Sequence, residues 1–139
     1  YMSSEGRILA LDYGEKRIGL ALSDPERIFS KPLCVLANKG FEQLVPELKE
    51  IITLYQVTLL IIGIPYAIDG SITPKTEECQ QILHHLKEVL SIPVEGFDER
   101  YSTWEANEEL KKMGYSWQKA KDIKDAMAAA MILKEFLNQ

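Results

Sequence analysis

The stretch RILALDYGEKRIGLALSD, residues 7–24, decides how this chain folds. It contains two apolar runs, 7–13 and 17–23, joined by a short turn that starts at Gly14. Two such runs around a Gly-containing turn predict an antiparallel hairpin. Side chains alternate between the two faces of a strand, so Asp12 is expected to share its face with apolar neighbours. The stretch therefore predicts a hairpin that carries a carboxylate near the end of its first strand.

The rest of the chain alternates between strand-like and helix-like patterns. Apolar periodicity, cap residues and turn residues indicate where each element lies. The expected elements are a short strand near 33–37, a helix over 42–55, a strand at Thr58–Ile64, a turn-rich loop over 66–73, a helix from Pro74 to about Leu90 with Thr73 as its N-cap, a strand at Pro93–Phe97, a helix opened by the Ser102-x-x-Glu105 pattern and ended by Gly114, and a last helix capped by Ser116 and reaching about Leu137.

The order of these elements, β-β-β-α-β-α-β-α-α, predicts an α/β fold. An antiparallel hairpin comes first and β-α-β crossovers follow, so the economical arrangement is a mixed five-stranded sheet with helices on both faces. Because 139 residues suit one hydrophobic core, a single domain spanning residues 1–139 is expected.

Composition narrows the class of protein. No run approaches the ~18–20 apolar residues of a membrane span, and no secretory signal pattern opens the chain. Cys34 and Cys79 fit no metal-binding spacing. Both are therefore expected to be reduced core thiols in a cytoplasmic protein.

The charge distribution allows two interpretations. Net charge is −5, which argues against a broad nucleic-acid-binding surface because Lys and Arg make phosphate contacts. The segment from Leu110 to Lys124 nevertheless has a local balance of +4, because it contains one acid, Asp122. Its five lysines are Lys111, Lys112, Lys119, Lys121 and Lys124. This segment is either a solvated helical face or a patch that faces phosphates.

Three carboxylates lie at the edges of apolar segments. Asp12 and Glu99 each stand at the end of a predicted strand, and Asp125 lies on the apolar stripe of the last helix. Acidic residues avoid such positions unless they are paired or bound to a cation. The alternatives are a turn-capping role for Asp12 and a surface position for Asp125. Asp98 points away from Glu99 and is expected to hydrogen-bond the following turn.

Electrostatics favours a cation among these three acids. Two carboxylates ~4 Å apart repel by about 4 kcal/mol at an effective dielectric of 20, against a domain stability of only ~5–15 kcal/mol. Three converging carboxylates would therefore raise a pKa or bind a hard divalent cation. Such ions could activate water and stabilise the leaving oxygen of a phosphodiester. No Ser/His or Cys/His nucleophile set competes, and Asp122 is a weaker auxiliary candidate.

Four motifs, in order, resemble those of one known family. They are Leu11-Asp12-Tyr13-Gly14 with Lys16-Arg17-Ile18-Gly19 and Ser23-Asp24, Gly63-Ile64-Pro65 with Asp69-Gly70-Ser71, Asp98-Glu99-Arg100-Tyr101-Ser102-Thr103, and Asp125-Ala126-Met127-Ala128-Ala129 with Ile132-Leu133. Over residues 7–137 the chain is similar to the YqgF family. That family was named for Holliday junction resolvases, was later described as pre-16S rRNA nucleases, and belongs to the ribonuclease H-like superfamily alongside the RuvC resolvases.

The resemblance implies a ribonuclease H-like fold and assigns roles to individual residues. Asp12, Glu99 and Asp125 would take the acidic positions that bind Mg²⁺ or Mn²⁺. The candidates for phosphate contact, or for orienting the acids, are Lys16, Arg17 and Arg100. The lysine segment adds further candidates for phosphate contact, Lys121 and Lys124.

One segment departs from the family pattern. After Gly70 the family usually carries a glycine-rich, basic stretch, whereas Ser71–Glu78 is nearly bare of Gly and Arg. This departure argues against substrate contact through the loop and leaves the acidic positions unaffected.

Three functional hypotheses follow. The leading one is a metal-dependent nuclease that hydrolyses phosphodiester bonds in structured RNA or branched DNA, in pre-16S rRNA processing or Holliday junction resolution. Its alternative is a non-catalytic nucleic-acid-binding or protein-binding domain with the same fold, which the acidic net charge favours. A sugar-kinase or actin-like ATPase also carries an Asp-x-Gly hairpin, but it needs two such domains. The expected partner is nucleic acid and not a membrane, and the chain is expected to be a monomer or weak homodimer.

Overall fold

The computed structural model describes residues 6–100 and 117–139, with side chains from Ile123 onward in the second range. These residues form five strands and three helices in the expected order. The elements are β1 (Arg7–Tyr13), β2 (Arg17–Ser23), β3 (Ser30–Ala37), α1 (Phe41–Tyr55), β4 (Val57–Ile64), α2 (Pro74–Val89), β5 (Val94–Asp98) and α3 (Trp117–Leu137). The predicted helix between Ser102 and Gly114 and the Ser116 cap lie outside the described residues.

The strands form one mixed sheet in the order β3-β2-β1-β4-β5. β1 and β2 pair antiparallel as the predicted hairpin, and β3 pairs antiparallel with β2. β1, β4 and β5 run parallel to one another. The sheet confirms the predicted mixed five-stranded α/β fold, and it brings the carboxyl ends of β1, β4 and β5 to one edge.

Helices cover both faces of the sheet. α1 and α2 pack on the face that contains Leu9 and Leu11, while α3 packs on the face that contains Ile8 and Ala10. All four side chains are buried. The alternation predicted for β1 is therefore confirmed, and β4 is buried on both faces because it lies between the two helical layers.

β3 is longer than the sequence predicted. It begins at Ser30, opposite Ser23 of β2, and not near residue 33. The apolar pattern missed its first residues because they are polar or proline. β3 is an edge strand, so Pro32 lies in it without breaking the sheet, beside a register shift between Leu20 and Ala21.

The start of α2 is tied to the end of β4. Thr73 is the N-cap as predicted, and its hydroxyl accepts a hydrogen bond from the amide of Thr76 at 3.2 Å. The buried Thr76 hydroxyl in turn donates to the carbonyl of Pro65 at 2.5 Å. The first turn of α2 is thereby fixed beside the sheet edge where the parallel strands end.

The contact between β2 and α3 requires a residue without a side chain. A Cβ atom on Gly19 would overlap the carbonyl oxygen of Asp125 and lie 2.8 Å from the amide nitrogen of Ala126. The backbone of α3 therefore lies directly on β2 at this point. Gly19 pairs with Asp12 across the hairpin, so the same contact brings α3 next to the end of β1.

We predict that Gly19→Ala strongly destabilises the protein, by about 3 kcal/mol or more, because backbone atoms on both sides of the clash cannot rotate away. Gly96→Ala is the matched control. Its Cβ would meet only side-chain carbons of Ile64 and Leu83, each at 3.1 Å. Thermal unfolding of both variants measures the difference. Equal melting temperatures for the two would contradict the direct packing of α3 on β2.

Candidate active site

Two of the predicted acids meet at the carboxyl edge of the parallel strands. Asp12 is the penultimate residue of β1, and Glu99 directly follows β5. Both are half-buried, and their side chains are joined by a hydrogen bond. The amide of Glu99 also donates to the carbonyl of Ile64 at 3.2 Å, which fixes the start of the loop against the end of β4. Residues 87 positions apart in sequence thus form one carboxylate pair.

Gly63 makes room for this pair. β4 lies between β1 and β5, so the Glu99 carboxylate must cross the end of β4 to reach Asp12. A Cβ on Gly63 would lie 2.8 Å from Oε2 of Glu99 and 2.6 Å from Cδ1 of Ile132. The sequence indicated Gly63 only as the closing residue of an apolar run and as part of a family-like loop. That Gly63 leaves space for the Glu99 carboxylate depends on the order of the strands in the sheet, which the local sequence does not show.

The third acid, Asp125, is close to Asp12 but paired with a different residue. It lies on α3, is about one-third exposed, and accepts a hydrogen bond at 2.9 Å from Nε of Arg17 in an ion pair. Its negative charge nevertheless acts on Asp12. Within residues 6–100 and the described side chains of α3, no three acidic, His or Cys side chains are arranged to hold a metal ion. The structure therefore joins two of the acids and places the third within electrostatic range.

The pKa values of the pair reflect burial and mutual repulsion. Burial raises the pKa of Asp12 to about 6, with a further increase from the charge of Asp125, while Lys75 and the hydrogen bond to Glu99 act in the opposite direction. Burial likewise raises the pKa of Glu99 to about 8, followed by the charge of Asp12 and the hydrogen bond to Asp12. Near neutral pH the pair therefore retains a proton, which Glu99 donates to Asp12.

The two candidate arginines are both bound to carboxylates. Arg17 pairs with the carboxylate of Asp125, and its expected role of orienting an acid stays a prediction. Arg100 pairs with Asp98 at 2.7 Å and also donates to the carbonyl of Ile68 at 3.3 Å. Asp98 accepts the amide of Arg100 at 3.1 Å, so its predicted local hydrogen-bonding role is confirmed.

Two of the candidate lysines, Lys16 and Lys124, are exposed to solvent. Lys16 is exposed in the hairpin turn, and Lys124 is exposed on α3 one residue before Asp125. The side chains of Lys121 and Asp122 lie outside the described residues. Cys34 and Cys79 are free thiols as expected, but only Cys79 lies in the core, where burial raises its pKa to about 12, while Cys34 is half-buried on the edge strand β3.

Sequence reasoning missed Lys75, the second residue of α2. Its ammonium nitrogen lies 5.6 Å from the centroid of the Tyr13 ring, and its charge lowers the pKa of both Asp12 and Glu99. A contact of this kind at an exposed site contributes about 0.5–1 kcal/mol. The available signal was positional, because Lys75 directly follows the Thr73-Pro74 helix start, and that helix follows β4.

Comparisons with known proteins agree with this architecture. A family model described as RuvX, Holliday junction resolvase, matches residues 6–139. A relative from Dictyoglomus thermophilum is 38% identical over 132 residues, which cover 95% of each chain. A relative from Roseiflexus sp. is 39% identical over 144 residues, which cover 99% of this chain and 98% of the relative. Both relatives carry the name "Putative pre-16S rRNA nuclease".

Solved structures with a similar fold include RuvC from Thermus thermophilus. RuvC in complex with a Holliday junction substrate has a TM-score of 0.56 at 11% identity, with 91% of each chain covered. A second Thermus thermophilus RuvC structure has a TM-score of 0.51 at 10% identity, with 95% and 96% covered. At this identity the similarity concerns the fold, and it confirms the predicted ribonuclease H-like class. None of the helices in the described ranges is long and apolar enough to cross a membrane.

The raised pKa values predict that stability without metal falls as pH rises. Up to about pH 6 the folded chain keeps protons on both Asp12 and Glu99 that the unfolded chain has lost, and from about pH 6 to about pH 8 it keeps the one on Glu99, so unfolding becomes easier by several kcal/mol across this range. In Asp12→Asn this fall should be smaller but not absent, because burial, the largest cause of the raised pKa of Glu99, remains, and the variant should be more stable than wild type at pH 8. Urea unfolding with a chelator present measures both. The control is Glu95→Gln, which removes an exposed acid from β5 and should follow the wild type. A wild type whose stability does not fall over this range would contradict the buried pair.

Proposed function

The chain belongs to the family described as RuvX Holliday junction resolvase, and we propose that it is a metal-dependent nuclease that hydrolyses phosphodiester bonds in structured nucleic acid. The family predicted from the four sequence motifs is confirmed, since RuvX and YqgF name the same family. The observation that carries the proposal is the hydrogen-bonded pair of Asp12 and Glu99, with Asp125 in electrostatic range. Such a cluster of acids does not stabilise the fold, so its presence supports a functional role.

The proposed substrate is a precursor of ribosomal RNA. The names of the curated relatives support pre-16S rRNA as the first candidate. The family description supports a second candidate, the Holliday junction. We further propose that the chain acts in the cytoplasm, as a monomer or weak homodimer.

The donor set fits a hard divalent cation. Asp12, Glu99 and Asp125 offer only carboxylate oxygens, which Mg²⁺ and Mn²⁺ prefer. At neutral pH a proton relieves the repulsion between Asp12 and Glu99, and a divalent cation would relieve it more completely. When bound, such an ion supplies an activated water and stabilises the leaving oxygen of the phosphodiester.

The chain's own residues would hold and orient the reacting groups. Asp12 and Glu99 would release their shared proton and turn their oxygens to the cation. Arg17 would keep Asp125 oriented on α3 until the site is loaded. Arg100, held by Asp98 and by the carbonyl of Ile68, would keep its positive charge near the loop that follows β4. Each of these tasks uses a contact that already exists between described residues.

The non-catalytic alternative predicts a different use of the same surface. A non-catalytic domain that binds nucleic acid or protein would have no use for half-buried acids at a strand edge. The net charge of −5 favours this alternative, whereas the carboxylate pair supports the nuclease. Cleavage assays separate the two hypotheses directly.

We predict that Asp12→Asn, Glu99→Gln and Asp125→Asn each reduce cleavage by about 100-fold or more, because each removes an oxygen donor from one metal-holding unit. Their effects should not add in double variants. The measurement is cleavage of matched RNA and DNA, both linear and branched, with Mg²⁺ or Mn²⁺. Glu95→Gln is the control. It removes an exposed acid from β5, the strand that Glu99 follows, and should keep wild-type activity. If the wild type binds these nucleic acids but cleaves none of them, the result would favour the non-catalytic domain.

We also predict that millimolar Mn²⁺ raises the melting temperature of the wild type, because binding to the native state stabilises it.

Gly63→Ala should keep the fold, since the new methyl meets only the ends of two side chains, but it should displace the Glu99 carboxylate. Its melting temperature should therefore respond much less to Mn²⁺. Differential scanning fluorimetry over a Mn²⁺ titration is the measurement. An unchanged response in Gly63→Ala would exclude Glu99, at this position, as a ligand.

A further inference from the structure

Lys75 is a cation beside the carboxylate pair that no part of the proposed mechanism uses. It is exposed at the second position of α2, and its ammonium nitrogen lies 5.6 Å from the centre of the Tyr13 ring. Tyr13 directly follows Asp12 in β1. Lys75 thus approaches the site from the helical layer of α1 and α2, whereas Asp125 lies on α3 on the other face of the sheet.

The backbone of Lys75 is held in place. The preceding N-cap, Thr73, and the following buried residue, Thr76, hydrogen-bond each other in both directions, at 3.1 and 3.2 Å. Thr76 also donates to the carbonyl of Pro65, at the end of β4. The lysine side chain is therefore mobile only beyond a fixed Cα, and its ammonium stays within reach of the sheet edge.

The ammonium of Lys75 remains available for a ligand. Arg17 and Arg100 each form an ion pair with a carboxylate. Lys75 forms none within the part of the chain that the structure describes, and its contact with the Tyr13 ring is of a kind that is weak at exposed sites. An ammonium group is a compact point charge that suits a phosphate oxygen. Lys75 can therefore leave the ring for a phosphate at little cost.

We propose that Lys75 binds a backbone phosphate of the nucleic acid next to the Asp12 and Glu99 carboxylates, with the Tyr13 ring as its resting position. This inference rests on the proposed function, because it assumes a polyanionic substrate at that pair. The departure of Ser71–Glu78 from the family pattern argued against substrate contact through this segment, and the proposal assigns one such contact to it, through Lys75. The rival role is a countercharge that only reduces repulsion between the two acids.

Binding measured against salt concentration separates the two roles. The probes are a fluorescent RNA stem-loop with single-stranded flanks and a four-way DNA junction. The affinity for both probes is measured for the parent Asp125→Asn protein, in which cleavage is prevented, and for the same protein carrying Lys75→Gln, Lys75→Arg or Lys87→Gln. Lys87 is exposed in the last turn of the same helix, so its substitution makes the same charge change away from the site.

A phosphate contact predicts a specific pattern. Lys75→Gln should flatten the slope of log affinity against log salt by about 0.7–0.9 and weaken binding about three- to tenfold at moderate salt. Lys75→Arg should restore both, and Lys87→Gln should leave both unchanged. In the cleaving background, Lys75→Gln should raise KM more than it lowers kcat.

Three results would overturn the proposal. The first is an equal slope for Lys75→Gln and Lys87→Gln. The second is a changed melting response to Mn²⁺ in Lys75→Gln with an unchanged slope, which would assign the countercharge role. The third is no binding of either probe by the parent protein. If the parent binds with the predicted slope change but the wild type cleaves nothing, the proposed nuclease function fails while Lys75 keeps its assignment.

Discussion

Two half-buried carboxylates that repel each other, those of Asp12 and Glu99, set the constraint that the surrounding structure meets. The parallel arrangement of β1, β4 and β5 brings them to one edge, and Gly63 leaves space for the Glu99 side chain to cross β4. A shared proton and the nearby charge of Lys75 make the arrangement tolerable in the absence of a cation. If both carboxylates were ionised, their repulsion of about 4 kcal/mol would be a large fraction of a domain's stability, so the pair does not stabilise the fold.

The position of the third acid depends on a packing contact and not on a charge. α3 can lie on β2 because Gly19 has no side chain, and the backbone of Asp125 is at that contact. Arg17, in the same strand as Gly19, then pairs with the Asp125 carboxylate. One strand therefore supplies both the space for the helix and the cation that orients its acid. A change at Gly19 would disturb the fold and the site together.

Fold and function have separate support in this protein. The RuvC structures share the fold at 10–11% identity, a level at which the arrangement of helices and strands is similar while most side chains differ. The family assignment comes from relatives at 38–39% identity over nearly the whole chain. The nuclease hypothesis rests on the acids at the sheet edge, because one fold can host many activities and the chemistry depends on the site.

The sequence by itself determined the features that arise from short-range patterns. The β1–β2 hairpin, the alternation that separates Leu11 from Asp12, and the Thr73 cap were all predicted, because turns, strand periodicity and caps depend on neighbouring residues. It also identified Asp12 and Glu99 as acids in apolar surroundings. Only the tertiary structure decided that Gly63 lies beneath Glu99, that Arg17 pairs with Asp125 across 108 positions, and that Lys75 lies over the ring of Tyr13, the residue after Asp12. These contacts depend on strand order and helix packing, which bring together residues whose local sequences carry no information about each other.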